Sequence, residues 1–278
     1  MRTLVHLSDL HFGRVDHTLL DPLRTLIERI DPDVLVVSGD LTQRAKAEQF
    51  EEARAFLDTL PGPQIIVPGN HDISLYNVFR RFVKPLARYK RYITDDLDPV
   101  YIDDEIAVVG VNTARSLTIK DGRVSSEQLA VVRQQLAGVP ASVTRIVVGH
   151  HPFDLPDHFE ERDLVDRAPR AMKAFAESGV DILMGGHMHA SHAGSTAGRY
   201  QISEYAALVI QAGTATSTRG RGEVNSFNVV RVESEKVEID RYGWDVVHSH
   251  FELVDTDKFM RAGNVWTAHN DGLMAAGL

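Results

Sequence analysis

Five times along this chain a short apolar run stops at a turn and is followed at once by aspartate, asparagine or histidine. Thr3 to Leu7 leads into Ser8-Asp9-Leu10-His11, Val34 to Val37 into Ser38-Gly39-Asp40, and Ile65 to Val67 into Pro68-Gly69-Asn70-His71-Asp72. Arg145 to Val148 leads into Gly149-His150-His151-Pro152, and Ile182 to Met184 into Gly185-Gly186-His187-Met188-His189. Such runs, rich in β-branched residues and closed by Gly or Pro, read as buried strands. In an α/β sheet the C-terminal strand ends gather on one edge, where these folds place ligands. One polar tip alone reads equally well as a capped turn. Five do not, because each buried polar group must find a partner or cost about 1–3 kcal/mol.

The stretches between the strands fit an α/β chain. Leu19, Leu23, Leu26, Ile27 and Ile30 form a helical stripe that Asp31-Pro32 ends. Phe50, Ala53, Leu57 and Leu60 form one face of a second helix, closed by Pro61-Gly62-Pro63. Ser74 to Tyr92 reads as a helix interrupted at Pro85, with Arg80, Arg81, Lys84, Arg88, Lys90 and Arg91 as a solvated basic face or the mouth of an anion site. Val100 to Ile102 and Ile106 to Val111 read as a hairpin; Ser125 to Leu136 and a segment ending near Ser178 read as helices. Beyond His189 the pattern becomes an antiparallel β region without helices. The expected organisation is one domain over residues 1–254, followed by a patternless tail, 255–278, that leaves a homo-oligomer open.

Composition removes whole classes of chemistry. The chain of 278 residues, 43% hydrophobic and 25% charged, is ordinary for a globular protein and long enough for one large α/β domain. No apolar run reaches the ~18–20 residues that span a bilayer. The first residues enter a strand directly, with no signal-peptide pattern. Without cysteine there are no disulfides, thiolate nucleophiles or zinc–thiolate sites, and a cytoplasmic address is expected. A net charge of -9 argues against a nucleic-acid partner, whose binding rests on many Lys/Arg–phosphate contacts.

The polar tips supply oxygen and nitrogen donors: Asp9, His11, Asp40, Asn70, His150, His187 and His189. Asp9 and His11, two apart on extended backbone, are expected to reach one point. The set suits manganese, iron or zinc in an open site. It is also too large for one ion that keeps a position for substrate. Asp40 stands alone at its tip and is the natural bridge between two ions. Two ions ~3.5–4 Å apart can hold a hydroxide and clamp a phosphoryl oxygen for in-line displacement.

In this order, Asp-x-His, Gly-Asp-x-Thr, Gly-Asn-His-Asp, Gly-His-His-Pro and Gly-His-x-His resemble the calcineurin-like metallophosphoesterase superfamily, over the stretch from Asp9 to His189. The resemblance implies a four-layer αββα sandwich, two mixed β-sheets flanked by helices, with a dinuclear metal centre. It implies that Asp9, His11 and His189 hold one metal, that Asn70, His150 and His187 hold the other, and that Asp40 bridges them. His71 would contact phosphate and act as general acid, oriented by Asp72. The combination looks most similar to bacterial class III cyclic-nucleotide and glycerophosphodiester phosphodiesterases, which implies a small-molecule phosphodiester substrate. Purple acid phosphatases carry a tyrosine ligand where Gln43 stands here, and protein Ser/Thr phosphatases carry Glu at the place of Asp72. The rival readings are a nuclease, a nucleotide or lipid pyrophosphatase, or a binding scaffold without turnover.

The remaining histidines read differently. His6 lies inside a strand and is expected to be a packed core or sheet-edge residue rather than a ligand. His151 is expected to face away from the metal, with a substrate contact and a structural role equally open, and His192 to lie near the site as a supporting group or substrate contact. His17, His158, His248, His250 and His269 read as surface or loop residues.

Overall fold

A computed structural model describes residues 1–74, 83–115, 121–156, 159–219 and 222–269. Two sheets form its centre. The first runs β13-β12-β11-β10-β1-β2-β3. Its strands are β1 (Arg2–Leu7), β2 (Val34–Val37), β3 (Gln64–Ile66), β10 (Ser226–Val232), β11 (Lys236–Asp245), β12 (His250–Ala262) and β13 (Val265–Ala268). The second runs β4-β5-β6-β7-β9-β8. It comprises β4 (Val100–Ile102), β5 (Ile106–Gly110), β6 (Thr144–Val148), β7 (Ile182–Gly185), β8 (His192–Ser195) and β9 (Leu208–Gln211).

Strand period explains the layering. Side chains alternate between faces, so each continuous apolar run serves two cores. Val34, Val36, Ile146, Val148, Ile182 and Met184 meet between the two sheets. Leu35 and Val37 point outward to α1 (Leu20–Ile30) and α2 (Ala47–Leu57). Val147 and Leu183 point the other way, to α4 (Ser126–Leu136) and α5 (Ala168–Glu177). The result is the expected four-layer αββα sandwich.

The parallel connections set the position of the site. β1, β2 and β3 are parallel neighbours, and so are β5, β6, β7 and β9. All five polar tips therefore leave C-terminal strand ends. β9 belongs to this parallel set, which departs from the antiparallel region expected after His189.

The expected boundary at 254 falls inside β12, so residues 255–268 are sheet rather than tail. β12 pairs along its length with β11, and Phe259 and Trp266 are buried between the sheets. The strand escapes detection because only Phe251 and Phe259 of its thirteen residues are buried, and a register shift at Arg241/Tyr242 breaks the alternation. Of the basic segment, Arg80 and Arg81 lie outside the described residues. α3 (Ala87–Tyr92) carries Arg88, whose Nη1 donates to the Ala45 carbonyl.

Candidate metal centre

Each tip is shaped by its own backbone. Asp9, His11, Asp40, His187 and His189 all adopt positive φ, between +51° and +72°. Left-handed backbone is unfavourable for residues with a Cβ, and it turns these side chains inward. Asp9 and His11 thus converge through two left-handed kinks past the end of β1, not through the strand period expected of them. Gly69 carries a close approach: a Cβ there would overlap Asp40 Oδ1 and the Asp40 amide nitrogen.

The side chains gather into two nests that meet at Asp40. In the first, His189 Nε2 lies 3.1 Å and His11 Nε2 3.4 Å from Asp9 Oδ1, and the two Nε2 atoms are 3.3 Å apart. In the second, Asn70 Oδ1 lies 3.1 Å from both His150 Nε2 and His187 Nδ1. Asp40 presents Oδ1 to His150 Nε2 at 3.4 Å and Oδ2 to His11 Nε2 at 3.7 Å. Asp9, His11, Asp40, His150 and His189 are buried.

The outer hydrogen bonds leave the converging atoms unsatisfied. His150 Nδ1 meets the Ser38 carbonyl at 2.7 Å and His189 Nδ1 the Arg219 carbonyl at 3.2 Å, which directs both Nε2 atoms inward. Ser8 Oγ and the His187 amide donate to Asp9 Oδ2. Asp9 Oδ1 faces the nest buried and without a hydrogen-bond partner. Lone pairs of nitrogen and carboxylate oxygen directed at one point repel one another, and a cation between them removes that repulsion. The donor set fits metal ions.

Charge perturbations agree. Burial alone would raise the Asp9 carboxyl, yet the His11 and His189 imidazoles beside it hold it well below the ordinary range. Burial likewise opposes ionisation of Asp40, but His150, His71 and His11 keep it ionised. Burial disfavours the His150 imidazolium, and Asp40 nevertheless lifts that group to about 9. The pocket is built around negative charge and takes up positive charge to balance it.

His71 lies at the edge of the nests rather than in either. Its amide donates to Asp40 Oδ1 at 2.8 Å, and its ring lies 5.0 Å from that of His11. The expected link from Asp72 to His71 is not what orients the ring. Asp72 instead accepts the backbone amides of Leu41, Thr42 and Gly69, tying the second and third tips together. Burial and Asp40 raise its carboxyl to about 6. The His71 ring is held by the Gln43 carbonyl, 2.9 Å from Nδ1, while Nε2 faces Arg219 Nη1 at 3.1 Å. Burial lowers the His71 pKa.

Sequence reasoning missed Arg219. Its one signal is position: it follows β9, which ends on the same edge as β6 and β7, but no ligand-type residue comes directly after that strand. His6 sits in the core as expected, with Nε2 2.9 Å from Ser38 Oγ. His151 lies nearer the site than expected: its Nδ1 is 2.8 Å from Thr113 Oγ1, and its ring centroid lies 4.6 Å from that of His187. His192 begins β8 opposite Gln211. His17, His248, His250 and His269 are exposed, and His158 lies outside the described residues.

Residues 2–191 match the family described as calcineurin-like phosphoesterase. The chain belongs to that family. Among curated relatives, the glycerophosphodiester phosphodiesterase GpdQ of Enterobacter lignolyticus is 28% identical over 174 residues, which cover 55% of this chain and 58% of that protein. This family member thus spans little more than half the length of GpdQ. A probable cyclic nucleotide phosphodiesterase of Rhodococcus erythropolis is 26% identical over 269 residues, covering 90% of this chain and 81% of the relative. The 3',5'-cyclic adenosine monophosphate phosphodiesterase CpdA of Escherichia coli is 21% identical over 201 residues, covering 67% of this chain and 69% of the relative. Solved structures share the fold. PhoD superposes with a TM-score of 0.74 at 9% identity, covering 100% of this chain and 73% of its own. A dimetal phosphatase from Danio rerio gives 0.66 at 12% identity, covering 94% and 99%. No helix among the described residues is long and apolar enough to cross a membrane.

Proposed function

We propose that this chain is a dinuclear-metal phosphodiesterase acting on small-molecule phosphodiesters, cyclic nucleotides or glycerophosphodiesters. One observation carries the reading: two nests of Asp, Asn and His donors share a single buried carboxylate, Asp40, with one oxygen turned to each. Asp9, His11 and His189 would hold one ion, and Asn70, His150 and His187 the other, with manganese, iron or zinc suited to these donors. Ions held this way supply Lewis-acid polarisation of a phosphoryl oxygen and activation of water at neutral pH.

The chain's own residues provide the frame. Ser38 and Arg219 carbonyls fix the tautomers of His150 and His189. Asp72 locks the second tip to the third, so that Asp40 and Asn70 keep their spacing. His71 borders the substrate side without joining either donor set. The names of the relatives support a diester substrate. A panel of mono-, di- and triesters, assayed on protein reconstituted with Mn²⁺, Fe²⁺ or Zn²⁺, tests this. Diesters are expected to turn over fastest. Turnover confined to monoesters, or none with two ions bound, would overturn the reading.

A further inference from the structure

Arg219 is held with unusual care for a loop residue. The segment from Ala212 to Arg219 leaves β9 and runs beside the first polar tip: the Ala215 amide donates to the Ser8 carbonyl, Thr216 Oγ1 to the Leu10 carbonyl, and the Thr218 amide to the Arg14 carbonyl. Asn225 Nδ2 donates to the Ser217 carbonyl at 2.9 Å, and Ser217 Oγ accepts the Arg219 amide at 3.1 Å. The Arg219 carbonyl orients His189, so the backbone of this residue serves one donor nest while its side chain reaches towards His71.

The hydrogen-bond chain has a direction. His71 Nδ1 has two neighbours of opposite kind, the Gln43 main-chain carbonyl at 2.9 Å and the Gln43 side-chain Nε2 at 3.4 Å. The shorter contact sets the direction, and since a carbonyl only accepts, Nδ1 carries the proton and donates to it. A guanidinium only donates. His71 Nε2 is therefore the acceptor, and the ring holds Arg219 by its lone pair. This arrangement does not suit the general-acid role expected of His71, since that role needs the proton on Nε2. It leaves the other guanidinium N–H groups to be directed by His71, beside a site built for a phosphoryl group.

We infer that Arg219 is the substrate's phosphate contact, binding a non-bridging oxygen through its guanidinium, and that His71 is the residue that positions it. This deepens the phosphodiesterase reading and rests on it for the identity of the anion. A preorganised, always-charged fork on a pinned loop suits a tetrahedral oxyanion better than a mobile lysine would.

The test uses Mn²⁺-loaded full-length protein and two readouts: calorimetric binding of inorganic phosphate, and steady-state hydrolysis of bis(p-nitrophenyl) phosphate. Arg219→Gln keeps the backbone carbonyl on His189, so both ions should stay bound. Phosphate affinity should fall roughly 10–100-fold, as for loss of one charge-assisted hydrogen bond, with KM rising more than kcat falls. Arg219→Lys should recover part of the loss. Because the two residues act as one unit, adding His71→Ala to Arg219→Gln should cost much less than the product of the single effects. Unchanged phosphate affinity in Arg219→Gln with both ions present would overturn the inference, and so would a loss that tracks metal loss. If wild-type protein binds phosphate through Arg219 but hydrolyses no ester, the phosphodiesterase reading fails and this assignment stands.

Discussion

His6 shows how a residue-scale detail sets behaviour in solution. It lies between the sheets, fully buried, and burial lowers its pKa from 6.5 to about 3. The unfolded chain takes up a proton below about 6.5, and the folded chain does so only near 3. This residue's contribution to stability is therefore complete above pH 6.5 and is lost as pH falls through that interval. In chelator, urea midpoints at pH 7 and pH 5 should differ less for His6→Gln than for the parent chain. Equal differences would mean that His6 is not the buried neutral group described. The same scale shows what could be read in the sequence. The seven candidate ligands that the structure brings together are legible in the sequence because each closely follows an apolar strand, and strand ends are where the chain can afford polarity. For Asp72 the resemblance implies a role in orienting His71, whereas the 3-10 turn at Asn70–Asp72 sends its carboxylate back to Leu41 and Thr42. Arg219 was invisible because its place depends on a loop pinned to a tip some two hundred residues earlier, which no local pattern records.

Among the elements, the third tip is the least tolerant of change. Gly69 lies against Asp40's own amide and carboxylate, so Gly69→Ala must displace backbone that cannot yield. We expect this single methyl to abolish turnover and weaken metal retention, while far-UV circular dichroism stays close to the parent. Normal metal content and activity in that variant would contradict the described approach of tips two and three. The C-terminal strands make a second case. A chain ending at residue 254 loses Phe259 and Trp266 from between the sheets, and large aromatic losses cost about 3–5 kcal/mol each. That truncation should not give a folded protein, and a cooperative unfolding transition in it would show that β12 and β13 are dispensable. Helices α1 and α2 are legible from their stripes and breakers. β12 is not, because exposure on much of both faces erases the period-two signal on which strand reading depends.

For the whole molecule, both nests draw on both sheets. Asp9 and His11 come from the first sheet and His189 from the second; Asn70 comes from the first, and His150 and His187 from the second. Ions bound here would clamp the sandwich across its edge, with Asp40 common to both. The most direct measurement is therefore the metal content of purified Asp40→Asn, taken together with its kcat/KM on a phosphodiester. Asparagine keeps the size of the side chain but removes the charge that both ions would share. Fewer than two tightly held ions per chain and a loss of turnover of several orders of magnitude are expected. Two retained ions with near-parental kcat/KM would contradict the shared role of Asp40.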